Sequence, residues 1–188
     1  NAGPTALYVL IVILIAGSTL GTGVNFITTV LRMRAPGITL GGMNLVVHGL
    51  MASIVVQLLG VPSFVGSVVM LFLDRYLGAG FFDPAKGGDP VLYQHLFWFY
   101  SHPAVYVMIL PGFGVFSEVL STMSRKPIFG RKSMVYALWS IAALGFFIWA
   151  HHMFSSGMPY WLRVFMSFTT MLIAVPTGIK IFNWIGTL

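Results

Sequence analysis

Long apolar stretches separated by short polar loops make up most of the chain. Five stretches are each long enough to cross a bilayer, which takes about 20 helical residues. Their approximate limits are residues 6–31, 44–73, 91–120, 133–154 and 161–185. An isolated strand in lipid would leave its backbone groups unpaired, so each stretch is predicted to be a helix. The pattern therefore predicts an all-α fold, a polytopic membrane helical bundle with five transmembrane helices.

The composition supports a membrane protein. Hydrophobic residues make up 57% of the 188 residues and charged residues 7%, which is too little polar surface to cover a soluble domain of this size. The absence of cysteine excludes disulfides and thiolate metal sites. The net charge of +6 does not indicate nucleic acid as a partner, because the basic residues lie mostly in loops between apolar stretches; the expected surroundings are membrane lipid.

Loop charges predict the orientation. The first and third predicted loops carry no acidic residue but six basic ones: Arg32, Arg34, Arg125, Lys126, Arg131 and Lys132. The second loop mixes both signs. The positive-inside rule therefore places the first and third loops in the cytoplasm, with Asn1 outside and Leu188 cytoplasmic. Because apolar stretches lie close to both ends, we expect residues 1–188 to be an internal fragment of a single integral-membrane domain.

Three histidines in two of the predicted spans suggest a metal site. His102 lies in the third span, and His151 and His152 lie at the outer end of the fourth. A buried imidazole is costly unless something binds it. His102 is roughly 16 Å from the outer end of its span at the helical rise per residue, so all three fall in the outer half of the membrane. We therefore expect them to meet.

Three histidines do not identify the metal, because copper, zinc and iron all accept imidazole ligands. Tyr106 lies one helical turn after His102, so the two rings can meet. A phenol can give a redox metal an electron and a proton, which favours copper over zinc.

His151 and His152 point about 100° apart on a regular helix. Ligation of one metal by both therefore requires an irregularity in the helix, which a helix end at residues 153–157 would permit. The pair could instead cap that end, and His48 and His95 are predicted to be packing residues.

Several segments resemble the catalytic subunit of the haem–copper oxygen reductases of the mitochondrial-like class. The matching segments follow the family's order: residues 25–29 and 33–37 (fourth helix and the next loop), 88–98 with 102–103 and 111–114 (sixth helix), 149–154 (seventh) and 174–180 (eighth). The similarity extends over essentially all 188 residues. It implies that the chain contains helices four to eight of a larger, twelve-helix-type subunit.

The resemblance also implies roles for individual residues. His102, His151 and His152 would ligate copper, and Tyr106 would be the redox tyrosine that the family links covalently to the His102 ring. The axial haem ligands belong to helices outside this chain, although Trp98 is a candidate for lining the haem pocket. Proton-path residues implied by the match are Lys180, Thr177 and Ser117 on one route and Ser18, Thr19 and Asn25 on another.

One proton-path residue, Lys180, also follows from the residues themselves, whereas Tyr100 and Ser101 are implied by the resemblance. Lys180 is the only Lys or Arg well inside a predicted span, and such a residue is a functional candidate by default; snorkelling to the inner surface is the alternative. Ala104 stands where many family members have a proton-carrying glutamate. Tyr100 and Ser101 precede His102 as in a subclass whose Tyr-Ser pair takes over the relay. The role of Glu118, near the inner end of the third span, stays open.

The expected function is that of the central part of a terminal respiratory oxidase, which reduces dioxygen to water and pumps protons. Cytochrome c is the expected electron donor and quinol the alternative. Expected partners are other oxidase subunits, and the expected location is an energy-transducing membrane, the bacterial plasma membrane rather than the mitochondrial inner membrane. Rival functions are a nitric oxide reductase and a non-catalytic metal transporter. The fragment alone is not expected to be active.

Overall fold

The computed structural model describes residues 2–188, so the predicted outer position of Asn1 lies outside the described residues. Six α-helices follow one another, and short 3₁₀ turns occur at Leu40–Gly42, Pro84–Lys86, Gly145–Phe147 and Trp149–Met153. The helices are α1 (Ala2–Arg32), α2 (Leu45–Leu77), α3 (Pro90–Ser124), α4 (Arg131–Leu144), α5 (Tyr160–Leu172) and α6 (Ala174–Thr187). No strand occurs among residues 2–188, and the predicted all-α fold is confirmed.

Five helical segments are long and apolar enough to cross a membrane. Helices α1, α2 and α3 each form one span. The fourth span, Arg131–Met153, joins α4 to two 3₁₀ turns, and the fifth, Tyr160–Thr187, joins α5 and α6. The second and third spans are a turn longer than predicted. Asn44 and Asp89 cap the starts of α2 and α3 through their side chains, and Gly78 ends α2 in the left-handed conformation.

Helices α2 and α3 approach each other closely through glycines. A Cβ atom on Gly49 would lie 2.4 Å from the Leu110 carbonyl oxygen, and one on Gly114 would lie 2.6 Å from the Leu45 carbonyl oxygen. Small residues let helix backbones meet in this way inside membranes. The Ser53 hydroxyl adds a hydrogen bond to the Val107 carbonyl at 2.7 Å. This contact sets the position of α3, which carries His102.

Two buried apolar clusters support the segment around His102. The first joins α2, α3 and α4, and the Tyr106 ring packs against it. The second contains Ala150 and Met153 of the fourth span, Met158 of the following loop and Met166 of the fifth span, and the Trp98 ring packs against it. Because Trp98 and Tyr106 lie one turn before and one turn after His102 on α3, the two clusters hold both sides of the histidine.

Candidate metal centre

The structure brings the three predicted ligand histidines together. One nitrogen from each of His102, His151 and His152 lies within 4.8 Å of the others. The Nδ1 atom of His102 is 3.0 Å from the Nε2 atom of His152. Ring centroids are 4.6 Å apart for His102 and His151 and 4.4 Å apart for His151 and His152. Three imidazoles from two spans therefore face one small volume.

A break in helix geometry allows the adjacent pair to share this volume. The sequence predicts a helix end after the histidines, at residues 153–157, but regular α-helix already ends at Leu144 and both histidines lie in a 3₁₀ turn. Two contacts accompany the early break. A Cβ atom on Gly145 would lie 2.9 Å from Cδ2 of Tyr106, and the Phe147 carbonyl accepts a hydrogen bond from the Thr169 hydroxyl at 2.8 Å.

A threonine on α5 orients the His151 ring. Its Nδ1 atom lies 3.0 Å from Oγ1 of Thr170, and that hydroxyl donates its proton to the Met166 carbonyl at 2.6 Å. A hydroxyl has one proton, so the Thr170 oxygen must accept the Nδ1–H of His151. This leaves the lone pair of Nε2 for a metal, the arrangement usual for ligating histidines. The sequence alone does not single out Thr170, because its contact depends on how α5 packs.

A tryptophan holds the His152 ring. The Trp98 and His152 rings are stacked, with centroids 4.0 Å apart and an interplanar angle of 7°.

His48 and His95, the two histidines outside the cluster, also contact tryptophans, through hydrogen bonds that the indole Nε1–H groups donate. Trp149 donates to Nδ1 of His95 at 3.3 Å, and Trp139 donates to Nδ1 of His48 at 3.4 Å. These contacts agree with the packing roles predicted for His48 and His95.

The donor set suits copper. The three nitrogens available to an ion are Nδ1 of His102 and Nε2 of His151 and His152, and neutral imidazoles are ligands that copper accepts well. The remaining ring nitrogen of His102, Nε2, is buried and has no hydrogen-bond partner among the described residues. Tyr106 lies beside that ring, with centroids 5.0 Å apart. The predicted pairing of this phenol with His102 is therefore present in the geometry.

Lys180 is completely buried, and its ammonium nitrogen has no hydrogen-bond partner within residues 2–188. The nitrogen lies 4.7 Å from the Phe113 ring centroid and 5.5 Å from that of Trp184. Trp184 Nε1 donates to Oγ of Ser117 at 2.9 Å, so Trp184 contacts both Ser117 and Lys180. The Ser117 and Thr177 hydroxyls each donate to a carbonyl four residues earlier in the chain, that of Phe113 or Ile173. In this structure Lys180 does not snorkel.

The residues predicted for the other proton route are only partly brought together. Thr19 and Tyr100 line one cavity of about 70 Å³, and the Tyr100 ring stacks on Phe64 at a centroid distance of 5.4 Å. Ser18 and Asn25 lie on α1 with exposed side chains. Ser101 is half-buried beside Tyr100.

Comparisons with known proteins cover nearly the whole chain. Residues 2–188 match the family model described as Cytochrome C and Quinol oxidase polypeptide I. Cytochrome c oxidase subunit 1 of Synechocystis sp. is 52% identical over 182 residues, covering 97% of this chain and 33% of that protein. Cytochrome c oxidase subunit 1 of Cereibacter sphaeroides is 49% identical, covering 92% of this chain and 30% of that protein. The subunit 1 of Thermostichus vulcanus is 43% identical, covering 97% of this chain and 33% of that protein.

The chain thus spans about a third of the length of the curated relatives it matches. The five apolar spans and these relatives identify it as part of an integral membrane protein, and they confirm the resemblance inferred from the sequence. The chain belongs to the family of cytochrome c and quinol oxidase polypeptide I, as part of a haem–copper oxidase subunit.

Proposed function

We propose that the chain forms the copper-binding part of the catalytic subunit of a terminal respiratory oxidase, which reduces dioxygen to water. The observation that carries this proposal is the convergence of three imidazoles beside Tyr106. On this proposal residues 1–188 are an internal fragment of one membrane domain, helices four to eight of the subunit. The haem ligands lie in the rest of that subunit.

His102, His151 and His152 would hold the copper. When bound, copper acts with the haem of the complete subunit to supply electrons for the reduction of dioxygen. The protein's own contribution is to hold the ligand rings. Thr170 fixes the tautomer of His151, and stacking on Trp98 fixes the plane of His152. Trp98 would also line the haem pocket.

Tyr106 would act as the redox tyrosine. Its phenol oxygen gives up a proton while the ring supplies an electron, and packing against Gly145 keeps the ring close to His102. The unpartnered Nε2 atom of His102 fits the covalent link to this tyrosine that the family resemblance implies. Because packing holds the Tyr106 ring beside the metal ligands, the side chain does not have to move before it gives up its proton.

Two proton routes would serve this centre. Ser117, Thr177 and Lys180 would carry protons toward Tyr106, with water filling the gaps, since Lys180 has no direct hydrogen bond to either partner. The second route would use the following residues: Ser18, Thr19, Asn25, Tyr100 and Ser101. The cavity shared by Thr19 and Tyr100 supports this grouping, and Tyr100 would replace the carboxylate absent at Ala104.

Cytochrome c is the proposed donor, because the relatives at 43–52% identity carry the name cytochrome c oxidase subunit 1. The family also includes quinol oxidases, which keeps quinol as the second candidate. The proposal further includes proton pumping, other oxidase subunits as partners, and a bacterial plasma membrane. Leu188 would face the cytoplasm and Asn1 the outside.

The proposed function can be tested on the full-length parent protein. We expect cyanide-sensitive consumption of dioxygen with reduced cytochrome c as donor. Consumption with quinol alone would assign the protein to the quinol-oxidising members of the family. No consumption with either donor, or faster reduction of nitric oxide than of dioxygen, would contradict an oxidase.

A further inference from the structure

A hydrogen bond between His95 and Trp149 joins the two segments that carry the clustered histidines. Nε1 of Trp149 donates to Nδ1 of His95 at 3.3 Å, and the two rings meet edge to face with centroids 6.3 Å apart. His95 is seven residues before His102 on α3, so the two side chains lie on the same face of the helix. Trp149 is the first residue of the 3₁₀ turn that contains His151 and His152. The bond therefore links the same two segments as the candidate metal centre.

The backbone that leads into this turn is irregular. Regular α-helix ends at Leu144, and Ile148, between the two 3₁₀ turns, has φ −129° and ψ 3°, outside the helical region. Hydrogen bonds in a 3₁₀ helix also have poorer geometry than those in an α-helix. The direction of the turn relative to α4 is thus weakly fixed by the backbone. Contacts between its side chains and α3 therefore decide where His151 and His152 point.

Two rings of α3 also contact the turn. Phe99 meets the Trp149 ring edge to face at a centroid distance of 5.4 Å, and Trp98 stacks on His152. A hydrogen bond is more restrictive than a ring contact, because its donor and acceptor must face each other within a narrow range of distance and angle. Besides the contact of His102 with His152, the bond to His95 is the only side-chain hydrogen bond between α3 and this turn among residues 2–188.

His95 can act only as the acceptor in this bond. The indole Nε1–H of tryptophan is a donor only, so Nδ1 of His95 carries no proton. We propose that His95 is a positioning residue for the copper site. Through Trp149 it sets the rotation of the turn, and thereby the approach of His151 and His152 to His102. His95 is not one of the three clustered histidines itself, and this inference rests on the proposed oxidase function.

The alternative is the packing role predicted for His95, in which its ring and that of Trp149 only fill the space between two spans. His95→Asn and His95→Leu separate the two roles. Oδ1 of asparagine, like Nδ1 of histidine, is bonded to Cγ and can accept the indole N–H, whereas leucine fills space but accepts nothing. A packing role predicts that leucine replaces His95 at least as well as asparagine does. A positioning role predicts the opposite order.

His48 and Trp139 provide a matched control within the same chain. Nε1 of Trp139 donates to Nδ1 of His48 at 3.4 Å, which is the same interaction elsewhere in the bundle. Trp139 lies within the regular part of α4, before its end at Leu144, so this bond does not hold the turn that carries the ligands. His48→Leu should therefore lower the unfolding midpoint without changing copper binding.

The measurement is copper per high-spin haem in the full-length protein after dialysis against increasing concentrations of a chelator, together with thermal unfolding. We expect His95→Leu and Trp149→Phe each to weaken copper binding about tenfold, the lower end of the range for lost partners of metal ligands, because His95 acts through one more residue. His95→Asn should restore most of the affinity. The double variant should bind copper as well as either single one, since both changes remove the same bond.

Two results would overturn the inference and leave His95 a packing residue. One is an asparagine variant that binds copper no better than the leucine variant. The other is a loss of copper in His48→Leu as large as that in His95→Leu. Wild-type protein that holds no copper or consumes no dioxygen would instead refute the proposed function itself.

Discussion

The Nδ1 atom of His102 lies 3.0 Å from the Nε2 atom of His152, although the two residues belong to different spans. Nitrogen ligands bind a metal at about 2.0 Å, so two ligands of one ion are separated by roughly 3 Å. The observed separation is compatible with joint ligation of one ion. Both the early end of α4 at Leu144 and the stacking of His152 on Trp98 contribute to it.

Thr170→Val should weaken copper binding. The substitution keeps the shape of the side chain but removes the oxygen that accepts His151 Nδ1–H. Loss of such a partner typically costs about 10–100-fold in metal affinity. Copper per haem after dialysis against a chelator measures the effect, with Thr170→Ser as the control that keeps the hydroxyl. Equal copper retention in the valine variant and the wild type would contradict this role for Thr170.

Lys180→Met should lower the turnover rate without lowering the stability of the fold. The buried ammonium has no hydrogen-bond partner in the described chain. Even buried ion pairs can often be replaced by apolar side chains without loss of stability, and Lys180→Met removes a buried charge that has no such partner. We therefore expect an unchanged or higher unfolding midpoint together with a strong loss of turnover. A lowered midpoint with normal turnover would show that Lys180 is structural.

Tyr100→Phe should slow turnover or lower the number of protons pumped per electron. The ring stacking on Phe64 is retained, so the fold and the copper content should not change. Only the phenol oxygen, which is hydrogen-bonded to the Gln57 side chain, is lost. Oxygen consumption and the proton-to-electron ratio in vesicles measure the effect. Wild-type values for both would remove Tyr100 from the proton route.

Gly49→Ala should destabilise the bundle. The new methyl group would lie 2.4 Å from the Leu110 carbonyl oxygen, which belongs to the backbone of α3 and cannot move aside by itself. Overpacking of this kind costs about 1–3 kcal/mol and sometimes more. Gly112→Ala is the control, because a Cβ there meets no atom within 4 Å. Equal unfolding midpoints for the two variants would show that the close contact does not limit packing.

The spans and the convergence of the histidines could be predicted from the sequence for physical reasons. Apolar length alone specifies a membrane helix, and loop charges gave an orientation in which His102 and the His151–His152 pair reach the same depth. Their observed proximity agrees with that reasoning. The predicted ends of α2 and α3 were less accurate, because local capping by Asn44, Gly78 and Asp89, rather than hydrophobicity, sets where these helices begin and end.

What the sequence did not reveal depends on tertiary contacts. Nothing in the local pattern shows that regular helix ends at Leu144, since that end coincides with the Tyr106 ring lying against Gly145 and with Thr169 bonding the Phe147 carbonyl. The role of Thr170 arises from the packing of the fifth span against the fourth. A pair of adjacent threonines, residues 169 and 170, in the middle of the fifth span was the available signal.

The most direct test of the central claim uses the full-length parent protein. Copper is counted per high-spin haem, and a carbon monoxide difference spectrum is recorded after reduction with dithionite. A shared haem–copper centre predicts about one copper per high-spin haem and a haem band shifted by carbon monoxide. Copper without a haem that responds to carbon monoxide, or a responsive haem without copper, would contradict the account.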